Sequence, residues 1–300
     1  MMNEYNPFKM EVPGHPSGTA QDTRVSRMRR KIMTDSFSQA PRMAVEQTKN
    51  VPKRAPEAIQ QVVMANRILG NEGILDALGH VSLRNPENAS TFFQARSISP
   101  FEATPDDILE IDLDGDVVTK TTMRPYGERI IHGAILKARP EMNAVFHGHF
   151  VAVIPFSVTN TPIRPITHVG SFLYQGVPIY DDYEPGGGML IRTREEGERI
   201  AKHLGQHRVH LLRGHGCDIV AEDLPRLVAS AIYLRDNATI QWQSLLSGKE
   251  MTYLSPGEAK AAMEIGLFGP SPIDRMWSYW VARVKKNMPD MKNWKSAARK

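Results

Sequence analysis

Apolar residues recur along this chain in two rhythms, one near 3.6 residues and one of two, and the changes of rhythm outline its elements. From Glu57 to Leu69 the apolar positions Ile59, Val62, Val63, Ile68 and Leu69 keep helical spacing, with Gly70 as the stop. Gly79 to Arg84 then alternates, which puts His80, Ser82 and Arg84 on one side of a strand, facing water or a pocket. Thr91 to Arg96 reads as its hairpin partner, joined through Asn85-Pro86-Glu87-Asn88. After a turn signal at Thr104-Pro105, Ile108 to Val118 forms two alternating runs about Asp114-Gly115, a hairpin turn. Helical spacing returns from Tyr126 to Arg139, closed by Pro140, with Glu128 in the first turn and His132 one turn later on the same face. A short apolar strand follows at Asn143 to His149, then an apolar run to Val158, a turn at Asn160-Thr161-Pro162, and a brief strand at Val177 to Tyr180. Thr193 to Glu196 is a capping box opening a helix through Leu204 to Gly205. A strand from Val209 runs into His215, and a long helix extends from about Asp223 to Leu246, with Pro225 in its first turn and Gly248 beyond its end. Trp277, Trp280 and Val284 share one face of a last helix that docks on its own core or on another subunit. Hairpins alternating with helices that cover both faces of a sheet predict one α/β/α layered domain.

Composition narrows the setting. The chain has 300 residues, 41% of them hydrophobic, enough for a sizeable core. No apolar run approaches the ~20 residues that cross a bilayer, so no membrane association is expected. Residues 1–52, rich in Pro, Ser, Gln and charge, read as an extended N-terminal arm that orders against a neighbour. Residues 53–252 form the expected catalytic domain, and 253–300 a helical extension. Arg24, Arg27, Arg29, Arg30 and Lys31 precede no apolar segment that could serve as a secretory core, so a cytoplasmic protein is expected. The lone Cys217 excludes an intrachain disulfide and agrees with a reducing compartment. A net charge of +4 without aromatic interleaving of the basic residues points away from nucleic acid.

The candidate chemistry centres on histidine. A period of two puts His147 and His149 on one strand face, about 6.6 Å apart at Cα, close enough to converge on one ion at ~2.0–2.1 Å per nitrogen. Alone, a His-x-His is equally well read as two solvated or core histidines. His215, flanked by Gly214 and Gly216 at the end of another apolar strand, adds a third nitrogen. Three neutral nitrogens with one open position make the arrangement of a catalytic metal centre. Cys217, two residues on, is read as a buried small hydrophobe in preference to a sulfur ligand. Gly186-Gly187-Gly188 lacks the Lys-Ser/Thr of a phosphate loop and the spacing of a dinucleotide loop, and is read as a flexible turn.

From about Pro56 to Thr252 the chain resembles the class II aldolase/adducin family. Within it the likeness is to the branch of metal-dependent decarboxylases acting on hydroxylated aromatic dicarboxylic acids, such as dihydroxyphthalate decarboxylases. The motifs that carry the resemblance are Gly79-His80-Val81-Ser82-Leu83-Arg84, Arg124-Pro125-Tyr126-Gly127-Glu128-Arg129, Ala144-Val145-Phe146-His147-Gly148-His149, Leu212-Arg213-Gly214-His215-Gly216 and Thr252-Tyr253-Leu254-Ser255-Pro256. It implies a three-layer α/β/α fold with a mostly antiparallel central sheet, and a cyclic homotetramer with sites between subunits, clasped by the arm and the Trp277 helix. It also implies one divalent ion per subunit, zinc, manganese, iron or cobalt, on His147, His149 and His215, with Glu128 as acid/base. His132 falls on a family histidine and is read as structural. Where sugar-phosphate aldolases of the family carry two serines and a Gly-Asn that hold phosphate, this chain has Tyr126, Gly127 and Gly79-His80. Each lost charge-assisted hydrogen bond costs ~1.5–3 kcal/mol, which disfavours a phosphorylated substrate. His80, Arg84, Arg129 and His168 are the candidates to meet a substrate carboxylate instead. The resemblance thus implies a carbon–carbon lyase releasing CO2, with Glu128 as proton donor; donation at neutral pH would require a raised pKa, which burial favours and a nearby cation opposes. The alternatives are an aldolase or dehydratase on an unphosphorylated hydroxy-carbonyl compound, a non-haem iron oxygenase, and an adducin-like binding protein without catalysis.

Overall fold

The computed structural model describes residues 56–294; the expected arm at 1–52 lies outside the described residues. The described chain runs through α1 (Pro56–Asn71), β1 (His80–Arg84), β2 (Thr91–Ala95), β3 (Ile108–Asp112), α2 (Arg129–Ala138), β4 (Ala144–Gly148) and α3 (Ile154–Thr159). It continues through β5 (Ile179–Tyr180), α4 (Arg194–Leu204), β6 (Val209–Leu212), β7 (Gly216–Ala221), α5 (Leu224–Leu246), α6 (Pro256–Glu264) and α7 (Pro270–Asn287). Among the described residues the strands form one seven-stranded sheet in the order β3-β2-β1-β4-β7-β6-β5. Every neighbouring pair is antiparallel except β5 and β6, so the sheet is mostly antiparallel.

Strand parity sorts the side chains into two cores. Val81, Leu83, Phe93, Phe146, Ile219 and Leu211 point to one face, where they pack with residues of α1 and α5. Phe92, Ile111, Val145, Val220 and Leu212 point to the other and meet Ile131 and Ile135 of α2 and Ile200 and Leu204 of α4. Both faces are therefore covered, as the layered reading requires, and each fully buried aliphatic side chain contributes roughly 1.5–3 kcal/mol of transfer free energy. Cys217 lies on the α1/α5 side, paired with Gly148 on β4 and sealed from solvent, so it is a small core residue and no ligand. Burial pushes its thiol pKa up.

Local signals hold the frame. Thr193 accepts from Glu196 N while Glu196 Oε2 accepts from Thr193 N at 2.8 Å, the expected capping box of α4. Asp223 accepts from Arg226 N at 2.8 Å and caps α5. Other expectations shift. α1 runs through Gly70 to Asn71, and the second arm of the Asp114-Gly115 hairpin is reduced to a bridge between Ile111 and Val117. α2 begins at Arg129, so Glu128 is its N-cap residue, not part of a first turn. β7 falls where only a link to the long helix was expected. The terminal helix α7 buries Ile273, Trp280, Val281 and Val284 in the core built with α1 and α5 of its own chain, where Arg283 pairs with Glu72 at 2.6 Å.

Candidate metal centre

Three elements bring the histidines together. β4 ends at Gly148 with His147 on the α2/α4 side, and His149 lies just past the strand end. Arg213 and Gly214, the latter at φ +63, turn the chain from β6 into β7 and deliver His215. Gly216 permits this, because a Cβ there would enter the space of the Gly148 carbonyl oxygen. The Nε2 atom of His149 lies 3.2 Å from that of His147 and 3.2 Å from that of His215. Glu128 Oε2 lies 3.4 Å from His147 Nε2 and 3.8 Å from His215 Nε2. Donors at ~2.0–2.1 Å from a tetrahedral centre are separated by about 3.3–3.4 Å, so the two histidine spacings of 3.2 Å suit a metal-sized site, with the Glu128 carboxylate beside it.

The outer contacts select the same chemistry. Asp218 on β7, opposite His147 in the β4 ladder, takes His147 Nδ1 at 2.8 Å and His210 Nε2 at 2.6 Å. Asp76 Oδ1 lies 3.3 Å from His149 Nδ1 and accepts from the backbone N–H groups of Leu78 and Gly79. A carboxylate on Nδ1 keeps the proton there and turns the Nε2 lone pair toward the cluster, which is the tautomer a metal needs. His210 in turn meets His203 on α4, Nδ1 to Nδ1 at 3.1 Å. The Nε2 atoms of His147 and His149, each with Nδ1 held by a carboxylate, converge with that of His215, whose Nδ1 is buried without a partner, and a cation at the centre would satisfy all three. The donor set therefore fits a divalent ion.

Electrostatics without that ion is instructive. Burial opposes a charge on His147, but the hydrogen bonds of Asp218 and Glu128 outweigh it and raise the imidazole to about 10. Burial also works against ionising Asp218, and its two histidine partners hold it well below the usual carboxylate range. Glu128 departs from expectation. Burial pushes its pKa up, yet His147, His215 and the Ile191 N–H, which donates to Oε1 at 3.1 Å, bring it below the ordinary value. Its place at the N-terminus of α2 favours the anion as well. Glu128 is a carboxylate at rest, not a standing acid.

The remaining sequence candidates divide. His80 pairs with His147 across β1 and β4 and stacks on it at 5.1 Å between ring centroids, so its ring lies against the cluster. Its Nδ1 lies 2.8 Å from His132 Nε2, and His132 Nδ1 lies 2.7 Å from Ser82 Oγ. All three side chains are buried, and burial keeps both imidazoles neutral, His132 at about 3 and His80 well below its ordinary value. Arg84, on the same strand face, lies away from the cluster. Its guanidinium donates to the carbonyls of Leu136, Arg139 and Met142 at the end of α2 and to Ala89, which corrects the expectation that it meets substrate. Arg129 is likewise engaged, donating to Gly115 O at 2.5 Å and Tyr126 O at 3.0 Å. His168 sits exposed in the 3-10 turn His168–Leu173, with no contact to the cluster among the described residues. Sequence reasoning missed Asp76 and Asp218. A usable signal existed for Asp218, a lone acid inside the apolar run Gly216 to Ala221.

Known proteins resemble this chain in sequence and fold. The chain is 29% identical over 261 residues to the decarboxylase tropJ of Talaromyces stipitatus, covering 79% of this chain and 96% of that one. It is 29% identical over 243 residues to a 3,4-dihydroxyphthalate decarboxylase of Arthrobacter keyseri, covering 76% and 94%. The solved L-fuculose 1-phosphate aldolase of Glaciozyma antarctica shares the fold at a TM-score of 0.65 and 22% identity, over 84% of this chain and 96% of that one. Residues 60–242 match the Class II Aldolase and Adducin N-terminal domain, and the chain belongs to that family.

Proposed function

We propose that this protein is a metal-dependent carboxy-lyase that removes CO2 from a hydroxylated aromatic mono- or dicarboxylic acid. The observation that carries the reading is the Glu128 carboxylate at 3.4 Å and 3.8 Å from two of the three histidines that converge on one point. The decarboxylases among the relatives supply the reaction class. His147, His149 and His215 would hold the ion, which when bound supplies a Lewis acid that stabilises negative charge on the oxygens of the substrate edge.

Glu128 handles the proton. As a base at neutral pH it accepts the hydrogen of the ring hydroxyl, and the same carboxyl then delivers it to the ring carbon bearing the departing carboxylate. The bond from that carbon to the carboxylate breaks, CO2 leaves, and a C–H bond takes its place. The phenolate left behind regains a proton from solvent. This order needs no raised pKa, because Glu128 becomes an acid only after it has acted as a base. In this reading His80 is the substrate contact, and the Tyr126 ring, 4.3 Å from that of His80 between centroids, stands beside it.

Glu128→Gln tests the reading. General acid–base catalysis contributes ~10²–10⁴-fold, so CO2 release should fall by that factor while the purified protein keeps its metal stoichiometry. CO2 release at the wild-type rate would refute the role of Glu128. Aldehyde release or oxygen consumption by the wild type would assign the site to an aldolase or an oxygenase.

A further inference from the structure

Strands β1 and β2 and helix α2 contribute a buried polar row beside the cluster, and it has no role in holding an ion. Ser82, His132 and His80 are joined end to end, at 2.7 Å and 2.8 Å. The bonds recorded for His80 are all at Nδ1, from His132 and, at 3.4 Å, from Gln94. Two proton arrangements satisfy the chain. In one, the Ser82 hydroxyl donates to His132 Nδ1, His132 Nε2–H donates to His80 Nδ1, and the proton of His80 stands on Nε2. In the other every proton is reversed, His80 carries its proton on Nδ1, and the buried Ser82 hydroxyl hydrogen has no acceptor. The second strands its spare hydrogen on the sealed Ser82 hydroxyl, whereas the first leaves it on His80 Nε2, beside the cluster and without a recorded partner among the described residues, and also lets Gln94 Nε2 donate to Nδ1.

We propose that Ser82 and His132 are positioning residues that fix His80 as a neutral Nε2–H donor for a carboxylate which the substrate retains. The inference rests on the reaction proposed above and adds its selectivity: a diacid over a mono-acid. A retained carboxylate is the productive partner. A hydrogen bond to the departing one would hold the ground state and vanish as neutral CO2 forms, which slows the step. A donor to an anion strengthens binding by enough to change affinity about tenfold to a hundredfold.

The test uses the zinc-loaded full chain with two probes, 3,4-dihydroxyphthalate and 3,4-dihydroxybenzoate, which differ by one carboxylate. Long-range nitrogen–proton correlation of the histidine rings should show His80 protonated at Nε2 in the wild type, with Nδ1–H appearing in Ser82→Ala. Calorimetric titration should show the diacid bound about tenfold or more weakly by Ser82→Ala and by His80→Ala, with mono-acid affinity kept within about twofold. His132→Gln, whose amide can still bridge Ser82 and His80, should fall between them and the wild type. His80 protonated at Nδ1 in the wild type, or the two acids weakened equally, would overturn the proposal. CO2 release by a wild type whose acid selectivity survives all three substitutions would overturn it and leave the reaction standing. A wild type that neither binds nor decarboxylates either acid would fell the reaction together with it.

Discussion

Replacing Asp218 by asparagine changes one atom of a fully buried side chain and separates the outer contacts of the cluster from its ligands. Asp218 lies 2.8 Å from His147 Nδ1 and 2.6 Å from His210 Nε2, and both imidazoles face acceptor oxygens. Asparagine offers one acceptor and one NH2, so one imidazole keeps its bond and the other meets a donor. Losing one charge-assisted hydrogen bond costs ~1.5–3 kcal/mol, and outer contacts of this type are worth ~10–100-fold in metal affinity. The metal dissociation constant, measured by competition against a chromophoric chelator, should therefore rise about 10–100-fold. The metal-free protein should suffer more, because His147 is then an imidazolium held up to about 10 by Asp218 and Glu128. Removing one partner of a buried charge pair costs ~3–5 kcal/mol, which lowers the melting temperature by roughly 6–20 °C for a domain of this size. Metal should recover part of that loss, since a metal-bound His147 is neutral. An unchanged metal affinity, or equal losses with and without metal, would refute the assignment of Asp218 as the group that orients His147.

Other expectations follow from the same geometry. The raised pKa of His147 contributes stability that is complete below pH 6.5, its ordinary value, and is lost as pH climbs toward about 10. Asp218 and Glu128 are displaced downward, so their contribution is present above about pH 4 and fades as pH falls through it. The metal-free protein should thus be most stable near pH 5–6.5 and lose stability toward pH 9 in chemical denaturation, and a rise over that range would contradict the cluster. Because the ion displaces the His147 proton, binding at pH 7.5 should release about one proton, read by calorimetry in buffers of different ionisation enthalpy. Gly216→Ala drives a methyl into the Gly148 carbonyl, so it should cost about 1–3 kcal/mol and weaken metal binding by displacing His215. Arg84→Met leaves the carbonyls at the end of α2 without donors. It should lower stability by ~1–3 kcal/mol per orphaned group while KM stays put, whereas a raised KM alone would return Arg84 to the substrate.

How far the chain announced this site depends on whether a signal was local. The capping box at Thr193 and Glu196 and the Asp223 cap rest on residues within four positions of each other, and their helices start where the pattern says. The sheet partners of His147 are another matter. His80 and Asp218 flank it only through the register of β1 and β7, 67 and 71 residues away along the chain, and no periodicity carries register. β7 itself was hidden because both its faces are buried, so Cys217, Ile219 and Ala221 on one side and Val220 on the other read as an unbroken apolar run, not an alternation. The single acid in that run was the clue. A carboxylate is tolerated in an apolar strand only where a partner awaits it, and here two imidazoles do. The same reasoning explains the opposite fate of Arg84, which alternation grouped with His80 and Ser82. All three share the α2 side of β1, but a helix runs across that face and presents different chemistry along its length. Its N-terminal end brings the Glu128 carboxylate to the histidines, while its C-terminal end offers bare carbonyls that only a donor-rich cation can satisfy. The polarity of one ten-residue helix thus decides which strand residues face the ion and which fasten the fold, and it does so through a contact that no stretch of β1 encodes on its own.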